Sequence, residues 1–210
     1  MKSIFLAALL LLPLSLSAKA LSIGDSMPQL TSEMKITDFN GKAFDWASIK
    51  NPNGTLVVFS CNHCPYSIKW EGRIRDIGNK FSKEVKLGDK DYNGIGVVMI
   101  NSNDWSENPI DSPAEMKKRS EELGLQFPYV VDETSMIAAA FGAKKTPEVF
   151  LFNGQGKLVY KGAVDDNYNE KKMKTPYLAN AIESLLKGES ISKNETKAIG
   201  CSIKSRGKKS

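Results

Sequence analysis

Apolar residues follow two different spacings along the chain, and these spacings predict strands alternating with helices. Residues 55–60 and 95–100 are short continuous apolar runs of the kind that buried central strands show. Before them, residues 36–44 predict a β-hairpin with Asn40-Gly41 as its two-residue turn. After the first run, apolar side chains recur every three or four residues along one face of a helix, at Trp70, Ile74, Ile77 and Phe81.

Capping and stop signals continue this alternation in the second half of the chain. Residues 112–115 read Ser-Pro-Ala-Glu, a capping box with proline in the first turn, and Gly124 is placed to end that helix. Asp132 is predicted to cap a shorter helix that ends at Phe141, before Gly142. The other predicted elements are a strand at 129–131, a hairpin of strands at 148–152 and 157–161, and a helix from Thr175-Pro176 to about Gly188.

This element order predicts the α/β fold class. The expected architecture is a central mixed β-sheet flanked by helices, with an N-terminal β-hairpin extension. Residues 21–210 are enough for one domain with its own core, and no repeat or linker divides them.

The first twenty residues have the pattern of a secretory signal peptide. Lys2 gives a basic start, a short apolar run follows, and Ala18-Lys19-Ala20 supplies the small residues of a cleavage site. The alternative, a membrane anchor, is disfavoured because the run is shorter than the ~20 residues of a spanning helix. We therefore expect cleavage after Ala20, a periplasmic or secreted protein, and no stable membrane insertion.

The net charge of +5 carries little information about partners. Several basic residues gather at the end of the chain, at Lys204, Arg206, Lys208 and Lys209. Nucleic-acid binding requires basic residues interleaved with aromatic ones along a face. We therefore expect a solvated basic tail and no nucleic-acid partner.

The chemistry of the chain centres on the sequence Cys61-Asn-His-Cys64-Pro65, between the first buried strand and the helix that follows. Three cysteines are too few for a disulfide scaffold in an exported protein but suit redox chemistry. A thiol at a helix N-terminus is stabilised as the thiolate by free N–H groups and the helix dipole. Because proline fits the first helical position, Cys64 is predicted to be the N-cap and the nucleophile, with Cys61 as its disulfide partner.

Three further features each allow more than one interpretation. His63, the only histidine, can stabilise the thiolate or shuttle its proton, or can be an exposed turn residue; its position also permits metal ligation. The polar loop 101–105 is either part of the site at a sheet edge or a plain turn. Cys201 is either a third redox thiol or a buried apolar cysteine.

Several segments together resemble a known family over about residues 25–204. They are, in chain order, FSCNHCPY at 59–66, INSND at 100–104, Thr146-Pro147, FLF at 150–152, LVYKG at 158–162, Asp165-Asp166 and GCSIK at 200–204. The chain thereby resembles the redoxin-domain proteins of the alkyl hydroperoxide reductase / thiol-specific antioxidant superfamily. The resemblance implies a thioredoxin-like fold and a thiol-based oxidoreductase or antioxidant activity.

The resemblance also assigns an expected place to Thr146-Pro147. In a thioredoxin-like fold the equivalent proline follows a cis peptide bond, lies against the cysteine pair and leaves the preceding backbone free to pair with an extended substrate. This chain departs from the pattern at Cys61, where a peroxiredoxin has threonine, and at Lys145, where many relatives have cysteine. We expect the Lys145 charge to help hold a thiolate.

The leading functional hypothesis is an exported thiol–disulfide oxidoreductase without a cofactor, acting on a disulfide-containing protein and regenerated by a thiol reductant protein. One alternative is a thiol peroxidase with a sulfenic acid on Cys64, resolved by Cys61 or Cys201. The other is a copper- or zinc-binding chaperone that uses Cys61, His63 and Cys64. The predicted catalytic residues are Cys64, Cys61, His63, Pro147, Thr146 and Cys201.

Overall fold

The computed structural model describes residues 20–207. Residues 1–19 of the predicted signal peptide lie outside this range, as do Lys208 and Lys209 of the basic tail. Within the described part of the chain, no helix has the length and apolarity needed to cross a membrane.

Strands and helices alternate as the apolar spacing predicts. The strands are β1 (Ile36–Thr37), β2 (Thr55–Phe59), β3 (Val85–Leu87), β4 (Lys90–Tyr92), β5 (Gly96–Asn101), β6 (Tyr129–Asp132), β7 (Lys145–Thr146), β8 (Glu148–Phe152), β9 (Leu158–Gly162) and β10 (Cys201–Ser202). The α-helices are α1 (Pro65–Phe81), α2 (Pro113–Leu123), α3 (Met136–Phe141) and α4 (Tyr177–Lys187).

A mixed central sheet with strand order β1-β6-β5-β2-β8-β9 organises the described residues. Strands β2, β5 and β6 run parallel to one another, whereas β8 and β9 pair antiparallel on one side and β1 pairs antiparallel with β6 at the other edge. The central strands are buried on both faces, which explains their continuous apolar sequences. The predicted fold class is confirmed.

Alternate side chains of each central strand enter two separate cores. In β2, Leu56 and Val58 pack with α1 and α4, whereas Val57 and Phe59 pack with α3 and the N-terminal segment. This period of two is the geometry of a strand covered on both sides. The site-bearing helix α1 is held on the first face by its buried residues, which include Trp70, Ile74 and Phe81.

Two local expectations differ from the structure. The hairpin turn lies one residue earlier than predicted, because the Gly41 N–H donates to the Asp38 carbonyl at 3.1 Å and Gly41 itself adopts a positive φ of 76°. The hairpin is closed by a single bridge between Thr37 and Ala43, and its first strand joins the main sheet. Ser112 occupies the N-cap of α2 but makes no side-chain capping bond.

The C-terminal segment, residues 194–207, is bound to the domain, so the expectation of a wholly solvated tail is wrong. The Arg206 guanidinium lies 3.8 Å from the Trp105 ring centroid and donates to the carbonyl oxygens of Asp132 (2.6 Å) and Asn103 (3.1 Å). A planar guanidinium can stack on an aromatic ring and donate hydrogen bonds in several directions at once. Arg206 uses both kinds of contact to bind the domain.

Candidate active site

Cys64 is placed at the N-terminus of α1, as the proline register predicts. Cys64 is the N-cap residue with φ −72° and ψ 120°, and Pro65 is the first helical residue. The side chain is fully buried, and its sulfur lies 3.2 Å from the Thr146 carbonyl oxygen, to which the thiol donates while protonated. All three cysteines are in the reduced form.

Cys61 lies in the loop before the helix, also buried. Its sulfur is 3.1 Å from the Thr146 hydroxyl and 3.7 Å from the Ser67 hydroxyl. The Thr146-Pro147 peptide bond is cis, as the resemblance implies. Thr146 therefore contacts both cysteines, through its hydroxyl and its carbonyl, and Pro147 is the next residue in the chain.

Strand β10 brings Cys201 to the same place. It pairs antiparallel with β7, with Cys201 opposite Thr146. Hydrogen bonding by the side chains of Cys61 and Cys201 lowers the pKa of Cys64. Gly200 makes this approach possible, because a Cβ there would lie only 2.2 Å from the Thr146 carbonyl oxygen. The structure thus brings together all six residues that the sequence singled out.

The surroundings of Cys64 favour its thiolate. The hydrogen bond from the Cys61 thiol, helped by Cys201 and by the Ser67 N–H in the first turn of α1, lowers the pKa of Cys64 from 9.0 to about 4. Burial opposes this shift, and the hydrogen bonds outweigh it. The sequence predicted the helix contribution but not the two thiol donors.

The two neighbouring thiols are shifted the opposite way. The pKa of Cys61 is raised by its hydrogen bond to Cys64, by burial and by the negative charge of Asp111. Burial, with a hydrogen bond to Cys64 and the Cys64 charge, raises the pKa of Cys201 to about 11, whereas the Lys145 charge lowers it. The expected effect of Lys145 thus falls on Cys201. One thiolate between two protonated thiols is the charge state of the site near neutral pH.

Asp111 is the site residue that sequence reasoning missed. It is fully buried, in a short 3-10 turn just before α2. One carboxylate oxygen accepts the backbone N–H groups of Asn62 (2.7 Å) and His63 (3.2 Å), and the other contacts His63 Nδ1. The only sequence signal was that a lone histidine needs a partner, because Asp111 is far from His63 along the chain.

Three residues present ligand atoms suited to a metal ion. The Cys61 sulfur, a His63 nitrogen and an Asp111 oxygen lie within 4.8 Å of one another. This set contains Asp111 where the sequence predicted Cys64. Thiolate, imidazole and carboxylate are the ligands that zinc takes.

The polar loop 101–105 holds the C-terminal segment. Asn101, Ser102 and Asn103 are buried. The Asn103 side chain accepts the Lys204 N–H at 2.7 Å, and the Lys204 carbonyl accepts the Asp104 N–H at 2.7 Å. The loop therefore fixes the far end of β10.

Exposed apolar side chains border the site. In the described range, the exposed large hydrophobic residues are Tyr66, Ile68, Ile110, Tyr168 and Ile199. Tyr66 and Ile68 follow Cys64 on α1, and Tyr168 packs on Tyr66 at 6.1 Å between ring centroids. Ile68 and Ile110 line one surface cavity with Asn62, and Ile199 is two residues before Cys201. Patches of this kind mark surfaces that contact other proteins.

Two solved structures align with most of the chain. An uncharacterized conserved protein from Geobacillus kaustophilus is 31% identical, with 90% of this chain and 94% of that chain covered and a TM-score of 0.77. A hypothetical protein from Sinorhizobium meliloti 1021 is 26% identical, with 90% and 98% covered and a TM-score of 0.76. A thioredoxin-like protein solved in the oxidized form shares the fold at 16% identity, with 81% and 100% covered and a TM-score of 0.60.

Fold and site together define a thioredoxin-like α/β protein with its cysteine pair at a helix N-terminus. The chain belongs to the Redoxin family, whose model matches residues 22–177. The match includes Cys61, Cys64 and Thr146-Pro147 and ends before Cys201. Membership of this family supports a thiol redox function. No curated protein matches the chain.

Proposed function

We propose that this protein is an exported thiol–disulfide oxidoreductase in which Cys64 is the nucleophile and Cys61 its disulfide partner. The observation that carries the proposal is the placement of the pair: Cys64 is the N-cap of α1, and Thr146 contacts the sulfurs of both Cys61 and Cys64. In this setting the pKa of Cys64 is lowered to about 4 and the pKa of Cys61 is raised. The thiolate is the attacking species in disulfide exchange. Export rests on the signal-peptide pattern of residues 1–20.

The reaction takes two exchanges. The Cys64 thiolate attacks one sulfur of a substrate disulfide, forms a mixed disulfide and releases the other sulfur as a thiolate. Cys61 then loses its proton and attacks the Cys64 sulfur, which releases the substrate thiolate and closes the Cys61–Cys64 bond. The substrate gains two electrons that the cysteine pair loses. The reverse sequence oxidises a substrate dithiol.

Asp111 and His63 have a role in the second exchange. The Cys61 sulfur lies within 4.8 Å of ligand atoms of both residues, and the buried carboxylate is the nearest negative charge that can accept its proton. His63 contacts that carboxylate and links it to the surface, since its side chain is 18% exposed. We assign the pair as the proton acceptor for Cys61, the shuttle role expected of His63.

The substrate class is a disulfide-containing protein. The exposed apolar residues around the site offer contact area that a small thiol does not need. Thr146 positions both cysteines through its hydroxyl and its carbonyl, next to the cis bond to Pro147, and a thiol reductant protein completes turnover.

The test is a redox titration of the reduced, metal-free full chain against glutathione buffers, with alkylation and mass spectrometry locating each disulfide. A Cys61–Cys64 bond that forms reversibly with a single midpoint supports the proposal, and Cys64→Ser and Cys61→Ser should each abolish that bond. If the Cys61–Cys64 bond forms at no redox potential of the buffer, the proposed dithiol function is wrong. Sulfenic acid on Cys64 after peroxide treatment, without disulfide exchange, would instead indicate the thiol peroxidase.

Metal binding is a second candidate because Cys61, His63 and Asp111 converge. Calorimetric titration of the reduced protein with zinc, and separately with copper(I), tests it. Saturable binding of one ion that Asp111→Asn and His63→Ala abolish would support a metal site. Absence of heat at micromolar protein would exclude a tight one.

A further inference from the structure

The cysteine pair is buried, and the protein's own C-terminal segment runs beside it. The Cys61 and Cys64 side chains are 4% and 0% exposed. Strand β10 pairs with β7 beside them and places Cys201, which is partly exposed, opposite Thr146. With the strand in place, an external thiol therefore meets Cys201 before it can meet either member of the pair, whereas attack of Cys64 on a substrate disulfide requires the bound substrate protein to uncover Cys64.

The segment is fixed where it crosses the site. Gly200 packs on the Thr146 carbonyl and Pro147, and the Ile203 N–H donates to the Lys144 carbonyl at 3.1 Å. Beyond β10, the loop 101–105 and the Arg206 contacts hold the chain. With anchors on both sides of Cys201, we expect the strand to remain paired while an external thiol reduces the cysteine pair.

Cys201 is placed to react with Cys64. Cys201 lies opposite Thr146 in the pairing of β10 with β7, and the Thr146 carbonyl oxygen lies 3.2 Å from the Cys64 sulfur. The backbone N–H of Tyr66 in the first turn of α1 also lowers the pKa of Cys201. Both cysteines thus share one helix N-terminus. The reacting sulfurs are neighbours without any movement of the fold, which is the arrangement that gives an intramolecular exchange its advantage.

We propose that Cys201 is a relay thiol: it takes the disulfide from the buried Cys61–Cys64 pair and presents it to external thiols as a Cys64–Cys201 bond. The proposal rests on the proposed dithiol function and adds to it the route by which electrons enter the site.

The exchanges balance without any co-reactant except a thiol. The Cys201 thiolate attacks the Cys64 sulfur of the Cys61–Cys64 bond, forms Cys64–Cys201 and releases Cys61, which takes up a proton. An external thiolate attacks the exposed Cys201 sulfur and expels Cys64. A second external thiol attacks the resulting mixed disulfide, which releases Cys201 and yields the external disulfide. Two thiols are oxidised and the Cys61–Cys64 bond is reduced.

The direction of attack follows from access and from the leaving group. The external thiol reaches Cys201 because Cys64 is buried. Cys64 is then expelled, and a sulfur with a low pKa leaves fastest; the pKa of Cys64 is about 4. In the oxidised pair Cys64 carries no charge. Its contribution to the raised pKa of Cys201 therefore disappears, and Cys201 is deprotonated more easily when it has to attack.

The experiment follows reduction of the oxidised full chain by glutathione, with acid quenching, alkylation and mass spectrometry. We expect the glutathione adduct on Cys201, and at least tenfold slower reduction of Cys201→Ser. Ser202→Ala, in the same strand, is the matched control and should be reduced at the wild-type rate. The oxidised Cys61→Ser variant should contain a Cys64–Cys201 bond.

Each other result overturns the relay. An adduct on Cys64 or Cys61, or an unchanged rate in Cys201→Ser, means that external thiols reach the pair directly. Faster reduction of Cys201→Ser means that the segment only shields the pair. Absence of a Cys64–Cys201 bond in Cys61→Ser excludes the exchange. Failure of the underlying dithiol function gives a different result. In that case Cys201→Ser would form no Cys61–Cys64 bond at any redox potential of the buffer.

Discussion

At the scale of single residues, the site is an arrangement of three sulfurs around one negative charge. Hydrogen bonding by Cys61 and Cys201, together with a backbone N–H in the first turn of α1, lowers the pKa of Cys64. Cys64 is the charged sulfur because the neighbouring thiols stay protonated and stabilise its negative charge. The proton balance of the three thiols is therefore shared, and each reacts according to the state of the other two.

Stability of the reduced protein should depend on Cys64 ionisation. The folded pKa, about 4, lies below the ordinary value of 9.0, so the unfolded chain binds more protons between these values. The stabilisation is fully present above pH 9 and is lost as pH falls through about 4. The difference in free energy of unfolding between wild type and Cys64→Ser should thus grow as pH rises from 4 to 9. A difference independent of pH would contradict the thiolate assignment, which the ultraviolet absorbance of the thiolate checks directly.

Asp111 should control how fast Cys61 closes the disulfide. Asp111→Asn keeps the size of the side chain but removes the proton acceptor, so closure of the mixed disulfide should slow roughly 100-fold. Its rate should then rise steadily with pH as hydroxide replaces the lost base. Rapid-quench measurement of the mixed disulfide checks both effects. Glu115→Gln, an exposed carboxylate-to-amide change nearby, should close at the wild-type rate; equal rates in both variants would remove Asp111 from the proton path.

At the scale of elements, α1 carries the site and contains two glycines with different surroundings. A Cβ at Gly72 meets nothing within 4 Å, whereas a Cβ at Gly78 would lie 2.1 Å from the Phe127 ring. Gly72→Ala should therefore raise the free energy of unfolding by roughly 0.5–1 kcal/mol through helix propensity.

Gly78→Ala in the same helix should instead lower the free energy of unfolding by roughly 1–2 kcal/mol, because the strain of overpacking exceeds the gain in propensity. Urea unfolding of the two variants checks the opposite signs. Equal changes would mean that Phe127 moves aside freely.

The elements were largely predictable from sequence, since buried strands and amphipathic helices leave local patterns. The continuous apolar runs gave β2 and β5, and Pro65 placed Cys64 at the N-cap. The hairpin of β3 and β4 was missed because its strands are short, with Lys86 exposed between two buried residues. Asp111 and the Arg206 contacts were missed for another reason: their partners are distant in sequence, and no local pattern encodes such pairs.

At the scale of the whole molecule, the C-terminal segment completes the site from outside the matched family region. Arg206 joins this segment to the ends of β5 and β6 through Asn103 and Asp132. A few contacts at the end of the chain thus help to hold Cys201 in place, on the opposite side of β10 from Gly200.

Arg206→Ala should loosen this attachment. Loss of two hydrogen bonds and the Trp105 contact should lower the free energy of unfolding by roughly 1–3 kcal/mol and speed alkylation of Cys201. Lys197→Ala removes the same charge from an exposed position of the segment and should stay within about 0.5 kcal/mol of wild type. Unchanged alkylation of Cys201 in Arg206→Ala would show that pairing with β7 alone holds the strand.

The nearness of Cys201 to Cys64 in the fold contrasts with their distance along the polypeptide. A bond between them would close a ring of roughly 140 residues and restrict the unfolded chain, which corresponds to about 5 kcal/mol of lost chain entropy, against about 2 kcal/mol for the short Cys61–Cys64 ring. Oxidised Cys61→Ser should therefore melt well above oxidised Cys201→Ser. Moving the disulfide of Cys64 from Cys61 to Cys201 would therefore convert a weakly cross-linked chain into a strongly cross-linked one, with no change in the number of disulfides.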